Sequence, residues 1–143
     1  QEFQVVHICG KGNVETSLEQ PGYRQFEFIG PELPQVLAAA DLCLSRAGAN
    51  FIFELLALKK PTLLIPLSRA ASRGDQILNA RSFEKQGFSM VLEEEELTES
   101  LLLEQIHLLY REREKYIAAM DRSELKDAAT AIIRQINQMA KNE

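Results

Sequence analysis

A chain of 143 residues with 45% hydrophobic content is long enough to fill one core and too short for two ordinary domains, so one globular domain over residues 1–143 is expected. Sixteen Lys and Arg against 21 Asp and Glu give a net charge of −5, which excludes a general affinity for nucleic acid or anionic lipid; any anion site must be local. Cys9 and Cys43 lie in apolar runs outside any Cys-x-x-Cys or Cys/His ligand pattern and read as buried, reduced thiols. With no signal peptide and no apolar run long enough to span a bilayer, the expected location is the cytoplasm, with a peripheral membrane contact left open.

In chain order, the run FQVVHIC (3–9) reads as a strand. A domain of this class ordinarily opens with a strand and a glycine-rich turn, so a start almost inside this run suggests a piece cut from a longer polypeptide. The turn GKGN (10–13) has Glu15 where a third glycine would complete Gly-x-Gly-x-x-Gly, and it reads as a plain strand-to-helix turn. A helix over 14–20, a strand FEFI (26–29) and a helix over 32–40 follow. Next come a strand DLCLS (41–45), a helix over 49–58, a strand TLLIP (62–66), a helix over 75–86 stopped by Gly87, and a strand FSMVL (88–92). This alternation predicts an α/β, Rossmann-like parallel sheet with helices on both faces. The acidic residues 93–96 read as a solvated turn before a helix capped by Thr98. From about residue 98 the tail is helical: TESLLLEQIHLLYRE first, then residues 124–140, where Leu125, Ala128, Ala129, Ile132, Ile133, Ile136 and Met139 form a stripe expected to pack in the core. His7 and His107 are isolated and read as structural histidines.

The segment LSRAGANFIFELL (44–56) poses the chemical question. After Asn50 the helix is apolar on nearly every side except for Glu54, and burying a lone carboxylate costs several kcal/mol unless something pairs with it. In an open parallel sheet ligands bind beyond the carboxyl ends of the strands, where loops enter helix N-termini. Residues 45–50 are such a junction, built of small residues. Gly48 admits a close backbone approach, and free N–H groups at the positive end of a helix dipole suit phosphate. Asn50 and Glu54 share a helix face, roughly 6 Å apart at ~1.5 Å per residue. A diphosphate at the helix start would bring an attached ribose near Glu54, whose carboxylate can accept two hydroxyl hydrogen bonds. The alternatives are that Glu54 pairs with Arg46 or Arg73, or reaches solvent.

A second junction follows the strand ending at Pro66. There a loop of small and basic residues leads into a helix whose first two turns carry Asp75, Gln76 and Asn79, a set able to bind several sugar hydroxyls. Asp75 as a simple helix-start charge and Asn79 as a surface residue are the structural alternatives. Two such junctions in succession favour a nucleotide-sugar site. No Asp-x-Asp pair is present for a metal on the diphosphate, and no nucleophile or general base stands out.

The motifs GKGN, FEFIGPELPQVLAAADLCLSRAGAN, the Ile-Phe-Glu that follows Phe51, KKPTLLIPL and ASRGDQILNARSFEKQGFSMVL closely resemble the carboxyl-terminal half of the MurG family of UDP-N-acetylglucosamine transferases. The resemblance covers nearly the whole chain. It implies the donor half of a GT-B fold, in an inverting, metal-independent and cofactor-free hexosyltransferase of peptidoglycan and cell-wall synthesis that converts lipid I, undecaprenyl-diphosphate-muramoyl-pentapeptide, to lipid II. Such an enzyme works at the cytoplasmic face of the membrane, as a peripheral protein. By the same resemblance, the backbone at Ile29 reads the uracil edge, the backbone of Gly48, Ala49, Asn50 and Phe51 holds the diphosphate, and Ala47 beside them counts among the substrate-binding residues. Glu54 takes the ribose hydroxyls, while Gln76, with Asp75 and Asn79 beside it, contacts the N-acetylglucosamine. Some family members carry a hydroxyl residue where this chain has Phe51, so no side-chain phosphate contact is implied there.

The acceptor half, with the family's proposed general base, is not among these residues. The chain alone is therefore expected to bind donor without catalysing transfer, and no catalytic residue is assigned to it. On the family alignment residues 3–9 are the second strand of the sheet, and the absent first strand would leave residues 3–9 and 41–45 flanking a slot; they are expected to close up directly or to pair with a strand of another copy. Two further possibilities are a natural stand-alone donor subunit of a split transferase and a non-catalytic flavodoxin-like binding module. The latter would need acidic or phosphate-accepting residues at the first strand end, where His7, Cys9 and Gly10 supply none.

Overall fold

The computed structural model describes residues 2–123 and 125–141. They form two compact units that divide after Val36.

In the first unit β1 (Val5–Ile8) pairs in parallel with β2 (Tyr23–Phe26), Val5 opposite Tyr23 and Ile8 opposite Phe26. The second strand thus ends where the sequence had suggested it begins, and Phe28 is 76% exposed in the segment beyond it. The helix expected over 14–20 is reduced to one 3-10 turn, Thr16–Leu18. The cause is a competing set of local hydrogen bonds. Ser17 Oγ donates to the Glu15 carboxylate at 2.7 Å. The buried Gln25 side chain accepts from the Glu15 N–H at 2.8 Å and donates to its carbonyl at 3.1 Å. His7 meets the Tyr23 hydroxyl at 2.8 Å, the structural role expected of it. The turn after β1 is closed internally, since Gly12 N–H donates to the Glu27 carboxylate at 3.0 Å and Asn13 Nδ2 to the Cys9 carbonyl at 3.1 Å.

Helix α1 (Leu33–Ala39) leads into the second unit, a three-stranded parallel sheet in the order β3 (Cys43–Ser45), β4 (Thr62–Leu64), β5 (Ser89–Val91). Cys43, Thr62 and Ser89 lie side by side, as do Ser45, Leu64 and Val91. The three strands therefore end flush, and their carboxyl-terminal loops share one rim. Each strand feeds a helix: α2 (Ala49–Ala57) after β3, α3 (Asp75–Lys85) after β4 and, through a 3-10 turn at Glu94–Glu96, α4 (Glu99–Arg111) after β5. All observed ladders are parallel and helices lie on both sides, which is the fold class expected from the sequence. β1 has only β2 as a hydrogen-bonded neighbour and β3 only β4.

The core lies where α2, β4, α3 and the tail meet. Ile52 and Leu56 of α2 pack with Leu63, Leu64, Ala80, Phe83, Phe88, Leu109, Tyr116 and Met120, nearly all removed from water. Phe83 stacks edge-on with both Phe53 and Phe88, at 5.8 and 5.4 Å between ring centres. Thr98 caps α4 as expected, its hydroxyl accepting from the Leu101 N–H at 3.1 Å.

The tail then adds a helix the sequence pattern had left out, α5 (Arg113–Asp121), which buries Tyr116 and Met120. Arg113 folds over the Tyr110 ring at 4.1 Å and donates to the Tyr110 carbonyl at 2.7 Å, marking the break between α4 and α5. The last helix, α6 (Leu125–Lys141), runs beside α2. Of its apolar stripe, Ile132, Ile136 and Met139 are exposed rather than in the core, and Ile133 is half-buried. Glu124 lies outside the described residues, as do the side chains of Leu125, Ala128 and Ala129. Both cysteines are free thiols and only half-buried, so neither is the fully buried residue expected. Burial pushes the Cys43 thiol up to about 11, which keeps it protonated at neutral pH.

Candidate functional site at the carboxyl rim of the sheet

The N-terminus of α2 is open. Gly48 is its N-cap and no side chain caps it. The first helical bond runs from Ile52 N–H to the Gly48 carbonyl at 3.1 Å, which leaves the amides of Ala49, Asn50 and Phe51 with no acceptor inside the helix. Ala49 and Asn50 are exposed. Apolar Ile52, Leu55 and Leu56 fix the helix against the core, so these amides point outward from a rigid support.

One turn further on, Glu54 is half-buried and has no ion pair among the described residues. The candidate partner Arg46 is committed elsewhere. Its guanidinium donates to the Glu94 carboxylate at 2.8 Å and to the Ile65 carbonyl at 3.2 Å. Arg73 is exposed and makes no ion pair among the described residues. Glu54 therefore presents a carboxylate with vacant acceptor positions on the same helix as the open amides.

The second junction is tied to the first by side chains of α3. Gln76 Oε1 accepts from two backbone amides, Ala47 N–H at 3.2 Å and Leu67 N–H at 3.0 Å. Asn79 Nδ2 donates to the Ala47 carbonyl at 3.0 Å. Ala47 is wholly buried and is held at both of its peptide groups. Asp75 is exposed in the first turn of α3, where its charge suits the helix dipole. Gly74, the N-cap of α3, has φ of 88°, a left-handed conformation that favours glycine.

The acidic residues 93–96 are not merely a solvated turn. Glu93 pairs with Arg81 of α3 at 2.7 Å, and Glu94 receives Arg46 from the β3 loop and the Ser68 N–H, at 3.4 Å, from the β4 loop. These roles were not legible in the sequence because four successive glutamates carry no positional signal; what marks Glu94 is its partner Arg46 in Ser-Arg-Ala-Gly, 48 residues away in sequence. The hydrogen bond from Arg46, its charge and the Ser68 N–H hold the Glu94 carboxyl below its usual 4.5. A depressed carboxyl stabilises the fold fully above its unfolded value and loses that contribution as pH falls through the folded one. The fall in stability below pH 4.5 is thus expected to be shallower in Glu94→Gln than in the unaltered protein, measured as urea midpoints between pH 6 and 3. Superimposable profiles would count against the pair.

Of the residues singled out from sequence, Ala47, Gly48, Ala49, Asn50, Phe51, Glu54, Asp75, Gln76 and Asn79 all lie in the second unit, at or just behind its rim, with Phe51 half-buried at the start of α2. Ile29 belongs to the first unit, half-buried in the segment between β2 and α1. Among the described residues no three His, Cys, Asp or Glu converge as cation ligands.

The chain matches the family model described as the Glycosyltransferase family 28 C-terminal domain over residues 1–136. It is 57% identical over 134 residues to a protein of Clostridium tetani named UDP-N-acetylglucosamine--N-acetylmuramyl-(pentapeptide) pyrophosphoryl-undecaprenol N-acetylglucosamine transferase, covering 93% of this chain and 37% of that protein. A protein of the same name from Geobacillus thermodenitrificans is 57% identical over 141 residues, covering 98% of this chain and 40% of its own length. The chain thus spans about two fifths of the length of these relatives. Among solved structures, the Acinetobacter baumannii MurG superposes with a TM-score of 0.69 at 20% identity, over 93% of this chain and 41% of that one. The glycosyltransferase VinC, solved in complex with DTDP, superposes with a TM-score of 0.65 at 20% identity, over 87% and 30%. At that identity the superpositions speak for the fold, the carboxyl-terminal half of GT-B enzymes, while the family match speaks for descent: the chain belongs to the glycosyltransferase family 28 C-terminal domains.

Proposed function

We propose that this chain is the donor half of an inverting, metal-independent hexosyltransferase that moves N-acetylglucosamine from UDP-N-acetylglucosamine to lipid I, giving lipid II. The observation that carries this reading is the open α2 N-terminus with the unpaired Glu54 one turn on. The amides of Ala49, Asn50 and Phe51 take the diphosphate, with Gly48 allowing close approach and the helix dipole offsetting its charge in place of a metal. Glu54 then accepts both ribose hydroxyls, and each charge-assisted bond contributes about 1.5–3 kcal/mol. Asp75 and the outward amide of Gln76 face the sugar. Transfer itself needs an acceptor half that binds the lipid-linked substrate at the cytoplasmic face of the membrane. Among the described residues no helix is long and apolar enough to cross a membrane, and the proposed association is peripheral.

Calorimetric titration with UDP, UDP-N-acetylglucosamine and UDP-glucose tests the reading: the first two are expected to bind and the third more weakly. In Glu54→Gln, side-chain volume is kept and the charge is lost. UDP affinity should drop about tenfold with little change in melting temperature. Normal binding by a variant that melts much earlier would instead make Glu54 a structural residue.

A further inference from the structure

We infer that Gln76 is a positioning residue for the diphosphate site, acting through Ala47, in addition to whatever its amide nitrogen meets on the sugar side. This rests on the donor-site reading above. Its carboxamide oxygen accepts from Ala47 N–H, which precedes the N-cap Gly48, and from Leu67 N–H in the loop after β4. Both partners are donors, so the carboxamide has one chemically consistent orientation, with Nε2 the only group it can offer outward. The Ala47 carbonyl is fixed separately by Asn79 Nδ2 at 3.0 Å. The peptide groups on either side of Ala47 are thus set by α3, and with them the place from which the α2 amides leave the β3 strand. Without Gln76 two amides lose their acceptor. Ala47 is completely buried and its N–H has no water to turn to, so the junction must shift to satisfy it.

A residue that touches only the sugar and one that sets the diphosphate junction differ in a measurable ratio. Gln76→Leu removes the acceptor at nearly constant volume, and is expected to weaken UDP on the order of tenfold and UDP-N-acetylglucosamine by at least as much. Amide exchange at Ala47 and Leu67 in the ligand-free variant should accelerate, a readout that sugar contact would not move. Asn79→Ala, which removes the bond to the Ala47 carbonyl and leaves both amides paired, should weaken both ligands equally but by less, and covers the case in which Gln76→Leu does not fold. The inference is overturned if Gln76→Leu binds UDP normally and loses only the preference for the sugar nucleotide, or if exchange at Ala47 is unchanged. Failure of the unaltered protein to bind UDP at all would refute the donor-site reading itself, a distinct result.

Discussion

With Gly48 replaced by alanine, UDP affinity is expected to fall on the order of a hundredfold while the fold is barely touched. Gly48 has φ −66° and ψ 136°, a conformation any residue adopts, and an added Cβ would meet no atom of the protein within 4 Å. At an N-cap, alanine in place of glycine costs up to about 1 kcal/mol. Nothing in the protein therefore demands glycine here, in contrast to Gly74 with its φ of 88°. The demand comes from the proposed diphosphate, which must reach the amides of Ala49, Asn50 and Phe51 across this position. A methyl group there displaces it enough to lose about two charge-assisted hydrogen bonds, together about 3 kcal/mol. Calorimetry and a thermal melt on the same variant check both halves of the expectation. Unimpaired UDP binding would place the diphosphate elsewhere.

Leu56→Ala is expected to act the other way, costing about 3 kcal/mol of stability through lost burial and a residual cavity. Leu56 is wholly buried on the inner face of α2, in the cluster that includes Leu63, Leu64 and Phe83. A domain of this size has only about 5–15 kcal/mol in total, so the urea midpoint should drop well clear of error with an unchanged slope. A loss below about 1 kcal/mol would mean that the α2 face is loosely packed. The pair of variants separates the two faces of one helix: its inner side holds the fold and its N-terminal end serves the ligand.

The strands from residue 43 onward were legible because each is a short apolar run bounded by Gly, Pro or charge, and α2, α3 and α4 because their starts and stops carry the right residues, down to the Thr98 cap. The backbone of the β3–α2 junction was legible too, since small residues at a strand end followed by a helix leave few other geometries. Side-chain commitments were not. Residues 14–20 lost their helix to Gln25, a residue outside the segment. Arg46 chose Glu94 over Glu54, and Gln76 turned its oxygen inward to two amides. α5 was missed because Tyr116 and Met120, its buried residues, are too few to make a stripe. The tail stripe was misjudged at Ile132, Ile136 and Met139, where periodicity reports an apolar face and says nothing of what covers it.

Because Gln76, Asn79, Arg46 and Glu94 each reach from one strand-to-helix segment into another, these segments cannot be exchanged singly. Replacing the start of α3 with that of a relative lacking the glutamine would strand the Ala47 and Leu67 amides together. A change at Glu94 takes a partner from Arg46 and from Ser68 at once. Substitutions along this rim are therefore non-additive, and tolerated changes arrive as linked sets. Redesign toward another nucleotide sugar has to move the β3, β4 and β5 loops as one graft, with Glu54 and Asp75 as the positions left free to vary.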